Sequence, residues 1–417
     1  MKNLPVSGSP TFATILERHR GIGPGFDLLR LLLALSILAS HCSGLSGHSG
    51  WLSSHLANAL HLLFSSPDGG IATALAPTSE SAELVHRVSG PARPYVLSRV
   101  PMFFALSGFL VSGSAFRTRS LIPFLGLRVL RILPALFVEV TLSAVILGAL
   151  FTNLSVYDYY TSSGFHAYFL NIVGLIHFEL PGVFSQNPQP VVNANLWTLP
   201  SEFHAYAITA VLITSGLLFR RKIFTVVFLL ATLPLLFANI VYGYGEGPLG
   251  LEGTTTVYYF FMGVLFFMWR ERIFYSPTLF VIAAIACYLL LLSSRTVFIY
   301  PALLTYITVF IGLSRLPQWN FLKTGDYSYG IYLYGYPITQ ALIAVMPALR
   351  DNLLLLLAAT ILCTFTFAFM SWHLIEKRVL VLKRYLSPKS AVISQTLHAS
   401  NPRQSSEKKQ VLVPKQL

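Results

Sequence analysis

Long apolar runs restrict the fold of this chain more than any other feature of its sequence. A helix needs roughly 17–25 predominantly apolar residues to cross a bilayer, and ten stretches approach or reach that length. They lie near residues 27–45, 97–116, 131–151, 202–219, 223–243, 257–270, 277–293, 297–314, 328–348 and 353–373. Composition agrees, because 54% of the residues are hydrophobic and only 11% are charged, whereas a soluble domain carries about 25% charged residues. We therefore expect an all-α, polytopic integral membrane protein with about ten transmembrane helices.

The distribution of basic residues predicts how these spans are oriented. The net charge of +13 comes from short clusters between apolar runs and not from one basic face, so we expect no nucleic-acid partner. If the chain has ten spans and a cytoplasmic N-terminus, the basic clusters lie on the cytoplasmic side of the membrane. These clusters are at residues 18–20, 117–128, 220–222, 270–272, 315–323 and 377–384. Counting residues 165–180 as an eleventh span would move the cluster at 220–222 outside. We interpret that stretch as interfacial or re-entrant and keep eleven spans as the alternative.

The membrane domain is predicted to lie between two polar segments. Residues 1–25 form a cytoplasmic N-terminal segment without the pattern of a cleavable signal peptide, so we expect the first span to act as the insertion signal. Residues 26–380 form the membrane-embedded domain. Residues 388–417 are rich in Ser, Gln, Lys, Asn and Pro without hydrophobic periodicity, which indicates a disordered cytoplasmic tail.

Two long segments, about 46–96 and 152–200, are predicted to face outward. Within the first, residues 51–64 place apolar side chains at helical spacing, which fits either a helix lying in the membrane interface or a packed loop helix. The same segment contains three histidines, but their spacing is not that of metal ligands. We therefore expect no metal site.

Three ionisable residues lie on or beside the first apolar span. Arg30 and His41 are eleven residues apart, which is about three helical turns and about 16 Å, so both project from one face. Asp27 precedes Arg30 by one turn. Each ionisable group inside a membrane costs about 2.5–3.5 kcal/mol on insertion scales and generally faces a bundle interior or a water-filled cavity. Taken singly, Arg30 fits a snorkelling anchor and His41 a buried structural histidine, whereas their shared face favours a site that reaches across the membrane.

Two further places in the sequence combine charge with an apolar helix. Arg128 and Arg131 stand one turn apart at a predicted cytoplasmic border, where they fit either topology anchors or a site for a phosphorylated ligand. Glu202 begins an apolar helix, where a carboxylate interacts favourably with the helix dipole. Alternatively, Glu202 holds an acceptor hydroxyl or orients a histidine, and Trp197 just before it stacks on a sugar face.

In their order and separations, these segments resemble the integral-membrane acyltransferase family 3, which O-acylates bacterial surface polysaccharides, nodulation oligosaccharides and some macrolides. The resemblance covers about residues 24–380 and is most specific in the arginine and histidine of the first span. It also includes residues 103–110 (FFALSGFL), the two arginines at 128 and 131, residues 197–202, residues 328–333 (SYGIYL) and the Ile375-Glu376 pair. Gly335 departs from the pattern, because many relatives carry histidine there.

The resemblance implies an acyltransferase with acetyl-CoA or another acyl-CoA as donor and no permanently bound cofactor. His41 would be the general base for an acceptor hydroxyl, since a neutral imidazole accepts a proton near pH 7, or it would carry a transient acyl group. Glu202 would orient the acceptor or the base as a second catalytic residue, and Asp27 would orient Arg30. The remaining implied contacts are donor binding by Arg30, Arg128 and Arg131, and acceptor binding by Trp197, Ser201, Tyr329 and Tyr332.

The implied acceptor is a carbohydrate hydroxyl on an exopolysaccharide, O-antigen or oligosaccharide, and the implied location is the bacterial inner membrane with both termini cytoplasmic. The expected partners are therefore the lipid bilayer, acyl-CoA and the carbohydrate. An alternative is a transporter or flippase for a lipid-linked or small anionic substrate, since charged residues within spans also mark transport pathways. Transfer of label from acetyl-CoA to glycan discriminates between the two.

Overall fold

The computed structural model describes residues 10–48 except 20 and 22, residues 93–245, and residues 253–386 except 318. Within these ranges the chain is helical and contains no β-strand, apart from isolated bridges between Thr11 and Phe274 and between Thr152 and Val183. The all-α prediction is thus confirmed for this part of the chain. The predicted interfacial helix at 51–64 and the predicted tail at 388–417 lie outside the described residues.

We label the main helices in chain order. They are α1 (Phe12–Arg18), α2 (Phe26–Leu45), α3 (Arg93–Thr118), α4 (Leu121–Thr141), α5 (Val156–Thr161), α6 (Ser163–Tyr168), α7 (Leu199–Thr214), α8 (Arg221–Tyr242), α9 (Gly253–Met268), α10 (Pro277–Leu291), α11 (Pro301–Leu313), α12 (Ser328–Val345) and α13 (Leu353–Ser371). A π-helical turn, Leu142–Leu147, continues α4 to Phe151, and a second one, Trp372–Glu376, follows α13.

Five of the described helices are long and apolar enough to cross a membrane: α2, α3, α4 with its continuation, α8, and α13 with its continuation. The apolar helices α9, α10 and α11 are shorter. Each predicted span coincides with a helix, although the number of about ten crossings stays a prediction. Residues 165–180 do not form one helix, because α6 ends at Tyr168 and a 3-10 turn ends at Val173.

The exposed surface of α8 is apolar. Val226, Leu230, Leu233 and Phe237 are each more than half exposed, with Leu230 at 62%. Such a continuous apolar face does not occur on ordinary soluble proteins and marks contact with lipid or another apolar partner. The helix therefore supports the membrane character of the chain.

The closest helix packing joins α3 and α9. A Cβ atom added at Gly108 would overlap the carbonyl oxygen of Phe260, and one added at Gly263 would overlap that of Ala105. Both obstacles are backbone atoms, so neither can move aside. The small residues of the FFALSGFL segment thus let two helix backbones touch, which is how helices associate in membranes.

A second close approach joins α2 and α12 near His41. A Cβ atom at Gly335 would lie 2.5 Å from Leu38 Cδ1, and Leu38 precedes His41 on α2 by three residues. A histidine at position 335 therefore requires Leu38 to move. Glycine at position 335, where many relatives carry histidine, thus allows Leu38 to pack closely against α12.

The helix ends that were predicted to be cytoplasmic meet at one end of the bundle. Arg30 near the start of α2 and Arg131 in the first half of α4 reach Asp326, just before α12. At the same end, Arg221 at the start of α8 pairs with Glu271 after α9. Helix α1 docks there too, since the amide nitrogen of Phe12 donates to the carbonyl oxygen of Ile273. This grouping agrees with spans that alternate in direction.

We predict that Gly108→Ala destabilises the protein, because overpacking a tight helix contact typically costs about 1–3 kcal/mol. The control is Gly44→Ala in α2, where a Cβ atom meets nothing within 4 Å and alanine favours the helix by up to about 1 kcal/mol. Thermal unfolding of the detergent-purified variants measures the difference. Equal unfolding temperatures for the two variants would contradict the assigned α3–α9 contact.

Candidate active site

A cavity of about 200 Å³ lies among α2, α3, α4, α7 and α12. Phe103, Phe104 and Leu199 are among its apolar lining residues. Six of the residues predicted from the sequence also line it: Arg30, Arg128, Arg131, Glu202, Tyr329 and Tyr332. Ligand pockets for drug-sized molecules usually measure about 300–1,000 Å³, so this cavity is suited to a small group or to one end of a larger molecule.

The Asp326 carboxylate joins the two arginines that were predicted to bind the donor. Its Oδ2 atom accepts hydrogen bonds from Arg30 Nη1 at 3.1 Å and from Arg131 Nη2 at 2.5 Å. Its Oδ1 atom accepts from the hydroxyl of Ser328 at 2.5 Å. One carboxylate on the loop before α12 therefore positions arginines from α2 and α4 on the cavity wall.

The charge state of Asp326 follows from its neighbours. Burial by itself would raise the pKa of this carboxyl group, but the positive charges of Arg131 and Arg30, with hydrogen bonds from Ser328, outweigh it and lower the pKa to about 2. Asp326 is therefore an anion throughout the physiological pH range.

Arg131 is enclosed on its other side by the end of α13. Its Nη1 atom lies 3.5 Å from Oε2 of Glu376, whose side chain is only 2% exposed. The guanidinium also lies over the rings of Tyr329 and Trp372, at 5.9 and 5.8 Å from their centroids. Two carboxylates and two aromatic faces thus surround Arg131, which leaves it little freedom to move.

Arg128, one turn earlier on α4, is different. Among the described residues it forms no ion pair within 4 Å, and its buried Nε atom has no hydrogen-bond partner. Glu202 on α7 lies close enough for its charge to interact with that of Arg128, and it accepts a hydrogen bond of 2.5 Å from Tyr206. Arg128 is therefore a cation of the cavity wall with hydrogen-bonding capacity left over.

His41 lies outside the cavity lining and is linked to it through Asn195. Its ring packs edge-on against Tyr336 with 5.0 Å between centroids, and its side chain interacts with that of Asn195. Asn195 lines the cavity, and its Nδ2 atom donates to the carbonyl oxygen of Tyr332 at 2.5 Å. Among the described residues the Oδ1 atom of Asn195 has no other hydrogen-bond partner, so it can accept a hydrogen bond from the His41 ring.

The other predicted residues lie as follows. Asp27 accepts a hydrogen bond of 3.2 Å from Arg30 Nη1, as an orienting partner would. Ser201 is 2% exposed and donates to the carbonyl oxygen of Gly253 at 2.9 Å, so its hydroxyl is occupied by the protein. Trp197 does not line the cavity.

The hydroxyls of the two predicted acceptor-binding tyrosines also bind protein atoms. Tyr329 donates to the carbonyl oxygen of Ile132 at 3.1 Å, and Tyr332 donates to that of Asn195 at 2.9 Å. The Tyr332 hydroxyl additionally lies 2.8 Å from the Thr198 hydroxyl. Tyr329 and Tyr332 therefore contribute their aromatic rings to the cavity wall, because their hydroxyls are already bound to protein atoms.

Sequence reasoning did not single out three residues that matter for this geometry. Asp326 lies in a tyrosine-rich segment that resembles an aromatic belt, and Asn195 opens the segment that ends at Glu202. Arg99 is 7% exposed, donates to the Ser36 carbonyl oxygen at 2.7 Å and to the Ser40 hydroxyl, and lies near His41. The sequence feature that could have identified Asp326 and Arg99 is that each is a charged residue next to an apolar run. Within the described residues no group of three or more potential ligands is arranged to hold a metal ion.

A family model described as an acyltransferase domain matches residues 24–373. The chain is similar to an O-acetyl transferase of Shigella phage Sf6, with 27% identity over 318 residues that cover 71% of this chain and 90% of that protein. It is also similar to nodulation protein 10 of Rhizobium leguminosarum bv. viciae, with 28% identity over 404 residues, 89% of this chain and 96% of that protein. No solved structure matches the chain.

We predict that Asp326→Asn destabilises the protein by about 3 kcal/mol, because it leaves Arg30 and Arg131 without their shared anion. The control is Glu271→Gln, which breaks the exposed Arg221–Glu271 pair and should cost about 0–1 kcal/mol. Thermal unfolding in detergent measures both.

The pH dependence of this difference follows from the direction of the shift. A pKa lowered from the ordinary value of 3.8 to about 2 stabilises the folded state above pH 4, and the contribution is lost only as the pH falls toward 2. Titration of Asp326 itself should therefore not change the stability difference between wild type and Asp326→Asn from pH 5 to pH 8. A difference that disappears within that range would contradict the ionised Asp326.

Proposed function

This chain belongs to the acyltransferase family whose model matches residues 24–373, and we propose that it moves an acetyl group from cytoplasmic acetyl-CoA to a carbohydrate hydroxyl beyond the membrane. It is a membrane protein and an acyltransferase for groups other than aminoacyl groups. Acetyl is favoured as the group because one relative is an O-acetyl transferase. A carbohydrate acceptor, such as an exopolysaccharide, O-antigen or oligosaccharide, follows from the resemblance to enzymes that acylate surface glycans.

One observation carries the proposal. One cavity has an arginine cluster at the end predicted to be cytoplasmic and is also lined by Asn195, whose side chain connects it to His41 on α2. Eleven residues separate Arg30 from His41, which is about 16 Å along the helix. The arrangement suits a donor that enters with its phosphates near the arginines and its thioester directed toward His41. The cavity is too small for the whole donor, so it would take the acyl group and the pantetheine arm up to the phosphates, and the adenosine would lie outside it.

Donor phosphates would be bound chiefly by Arg128. Arg30 and Arg131 are already paired with Asp326, whereas Arg128 has no ion pair among the described residues. A guanidinium offers a planar fork of donors that matches phosphate oxygens. The paired arginines would hold the shape of the same wall.

His41 would act as the general base. Its ring nitrogen accepts the proton of the acceptor hydroxyl as the hydroxyl oxygen attacks the thioester carbonyl carbon. The new carbon–oxygen bond forms, the carbon–sulfur bond breaks, and the departing CoA sulfur takes the proton back from the imidazolium. Asn195 Oδ1 would accept from the other ring N–H and so fix which nitrogen faces the substrate.

Glu202 and the aromatic residues would form the surroundings of the acceptor. Glu202 lines the cavity with one carboxylate oxygen bound to Tyr206, and its other oxygen is available to an acceptor hydroxyl. The rings of Tyr329 and Tyr332 offer apolar surface to a sugar. Trp197 would contact the acceptor only outside the described cavity, toward the outer segment that precedes it.

The proposed location is the inner membrane of a bacterium, with both termini in the cytoplasm. Alternation of the spans and the grouping of basic helix ends support this orientation. The same geometry favours an enzyme over the transporter or flippase alternative. A transport pathway needs mobile access, whereas Arg30 and Arg131 are tied to a shared carboxylate and the family is one of acyltransferases.

His41→Gln tests the proposed chemistry, because glutamine keeps hydrogen-bonding capacity but accepts no proton near pH 7. Membranes that contain the variant at wild-type abundance should transfer radiolabel from acetyl-CoA to glycan at least about a hundredfold more slowly than wild type, since general bases contribute about 10²–10⁴-fold. The matched control is His204→Gln, which changes an exposed histidine on α7 and should leave the rate unchanged.

Two results would contradict the proposal. Retention of most of the acetyl transfer by His41→Gln would make His41 a structural residue. Release of one equivalent of CoA by wild type in the absence of acceptor, with label held on His41, would replace the general base by an acyl-imidazole intermediate.

A further inference from the structure

A buried carboxyl group beyond the cavity has no part in the steps above. Glu139 lies on α4, eight residues after Arg131, and its side chain is only 1% exposed. Among the described residues it forms no ion pair, and its Oε2 atom has no hydrogen-bond partner. A carboxyl group buried without a cation is costly, so its presence within an apolar helix calls for a specific interaction.

That interaction is with Asn193. Glu139 Oε1 accepts a hydrogen bond of 2.8 Å from Asn193 Nδ2, and a second one of 2.9 Å from the hydroxyl of Ser143. Ser143 belongs to the π-helical turn that begins three residues after Glu139. Such turns are frequent at functional sites, because the inserted residue redirects the side chains around it.

Asn193 in turn determines where the segment with Asn195 lies. Its Nδ2 atom also donates to the carbonyl oxygen of Leu333 at 3.0 Å, which ties it to α12. Its Oδ1 atom accepts from the amide nitrogen of Asn195 at 3.1 Å and so caps the 3-10 turn Ala194–Thr198. A completely buried asparagine therefore joins α4, α12 and the start of the turn that presents Asn195.

We propose that Glu139 is a positioning residue for His41, which it reaches through Asn193 and Asn195. The side chain of Asn195 is fixed by Tyr332 on one side and interacts with His41 on the other. A small rotation of the turn would move its Oδ1 atom away from the imidazole. Glu139 touches neither the cavity nor His41, so it acts on the reaction only through these two asparagines.

This inference rests on the proposed role of His41, and the experiment separates the two. Purified wild type, Glu139→Leu and Glu139→Gln would be assayed with acetyl-CoA for kcat and for the donor KM. Glu139→Leu should lower kcat at least about tenfold while the donor KM changes less than about twofold, because the arginine cluster is untouched. Glu139→Gln should keep at least about half of the wild-type kcat, since its amide oxygen can accept from Asn193.

Ser143→Ala is the matched control. It removes the other hydrogen bond to the same oxygen atom and leaves Asn193 in place, so its kcat should be within about twofold of wild type. Asn193→Leu should lower kcat as Glu139→Leu does, and the double variant should be no slower than the slower single variant, because both changes break one chain of contacts.

The outcomes are distinct. A Glu139→Leu variant whose kcat per folded molecule equals that of wild type, so that any loss of rate matches its loss of folded fraction, overturns the positioning role, and so does one that loses donor affinity as strongly as kcat. Should Glu139→Leu fail to insert, an inactive but folded Glu139→Gln or an equally inactive Ser143→Ala would overturn it. His41→Gln assayed beside them reports on the proposed function. If His41→Gln remains active, the role of His41 itself fails, whatever Glu139 does.

Discussion

The Asp326 carboxylate, held between Arg30 and Arg131, is the interaction on which the rest of the site depends. It joins the loop before α12 to α2 and α4, and Arg131 extends the connection to Glu376 at the end of α13. Breaking a buried ion pair by removing one partner commonly costs about 3–5 kcal/mol, since the remaining charge is left uncompensated. Four segments that are distant in sequence are thereby held around one cavity.

The charged residues of the site differ in whether they are paired with a carboxyl group. Arg30 and Arg131 are neutralised in part by their carboxylates and maintain the shape of the wall. Arg128 forms no ion pair within the described part of the chain, and its buried Nε atom has no hydrogen-bond partner there. At the far end, the side chain of Asn195 bridges the cavity and His41, and Glu139 is placed to hold the turn that carries it. Structural charges thus surround a small number of groups left for substrate.

Much of the fold was predictable, because the physics of a bilayer leaves few choices. Apolar runs of spanning length predicted the helices, and the small residues of the FFALSGFL segment lie where α3 is in closest contact with α9. The eleven-residue spacing of Arg30 and His41 placed them on one helix face. The sequence singled out Arg128, Arg131 and Glu202, which line the cavity, because a charged side chain beside an apolar helix costs free energy unless it has a specific interaction.

Contacts between distant segments could not be predicted. Nothing in the sequence pairs Asp326 with Arg30 across almost three hundred residues, and Asn195 becomes significant only when its turn packs against α12. The hydroxyls of Ser201, Tyr329 and Tyr332 looked available to an acceptor, whereas each binds a backbone carbonyl oxygen in the structure. Local patterns identify which residues are unusual, and tertiary packing decides which partner each of them finds.

We propose that one cavity connects a donor on the cytoplasmic side with an acceptor on the other side of the membrane. This proposal is tested most directly in sealed, inverted membrane vesicles that contain the protein, with a soluble oligosaccharide acceptor trapped in the lumen and labelled acetyl-CoA added outside. Transfer across the membrane should give acetylated oligosaccharide in the lumen, and none when the acetyl-CoA is enclosed with the acceptor. Acetylation only when donor and acceptor share one compartment would contradict it.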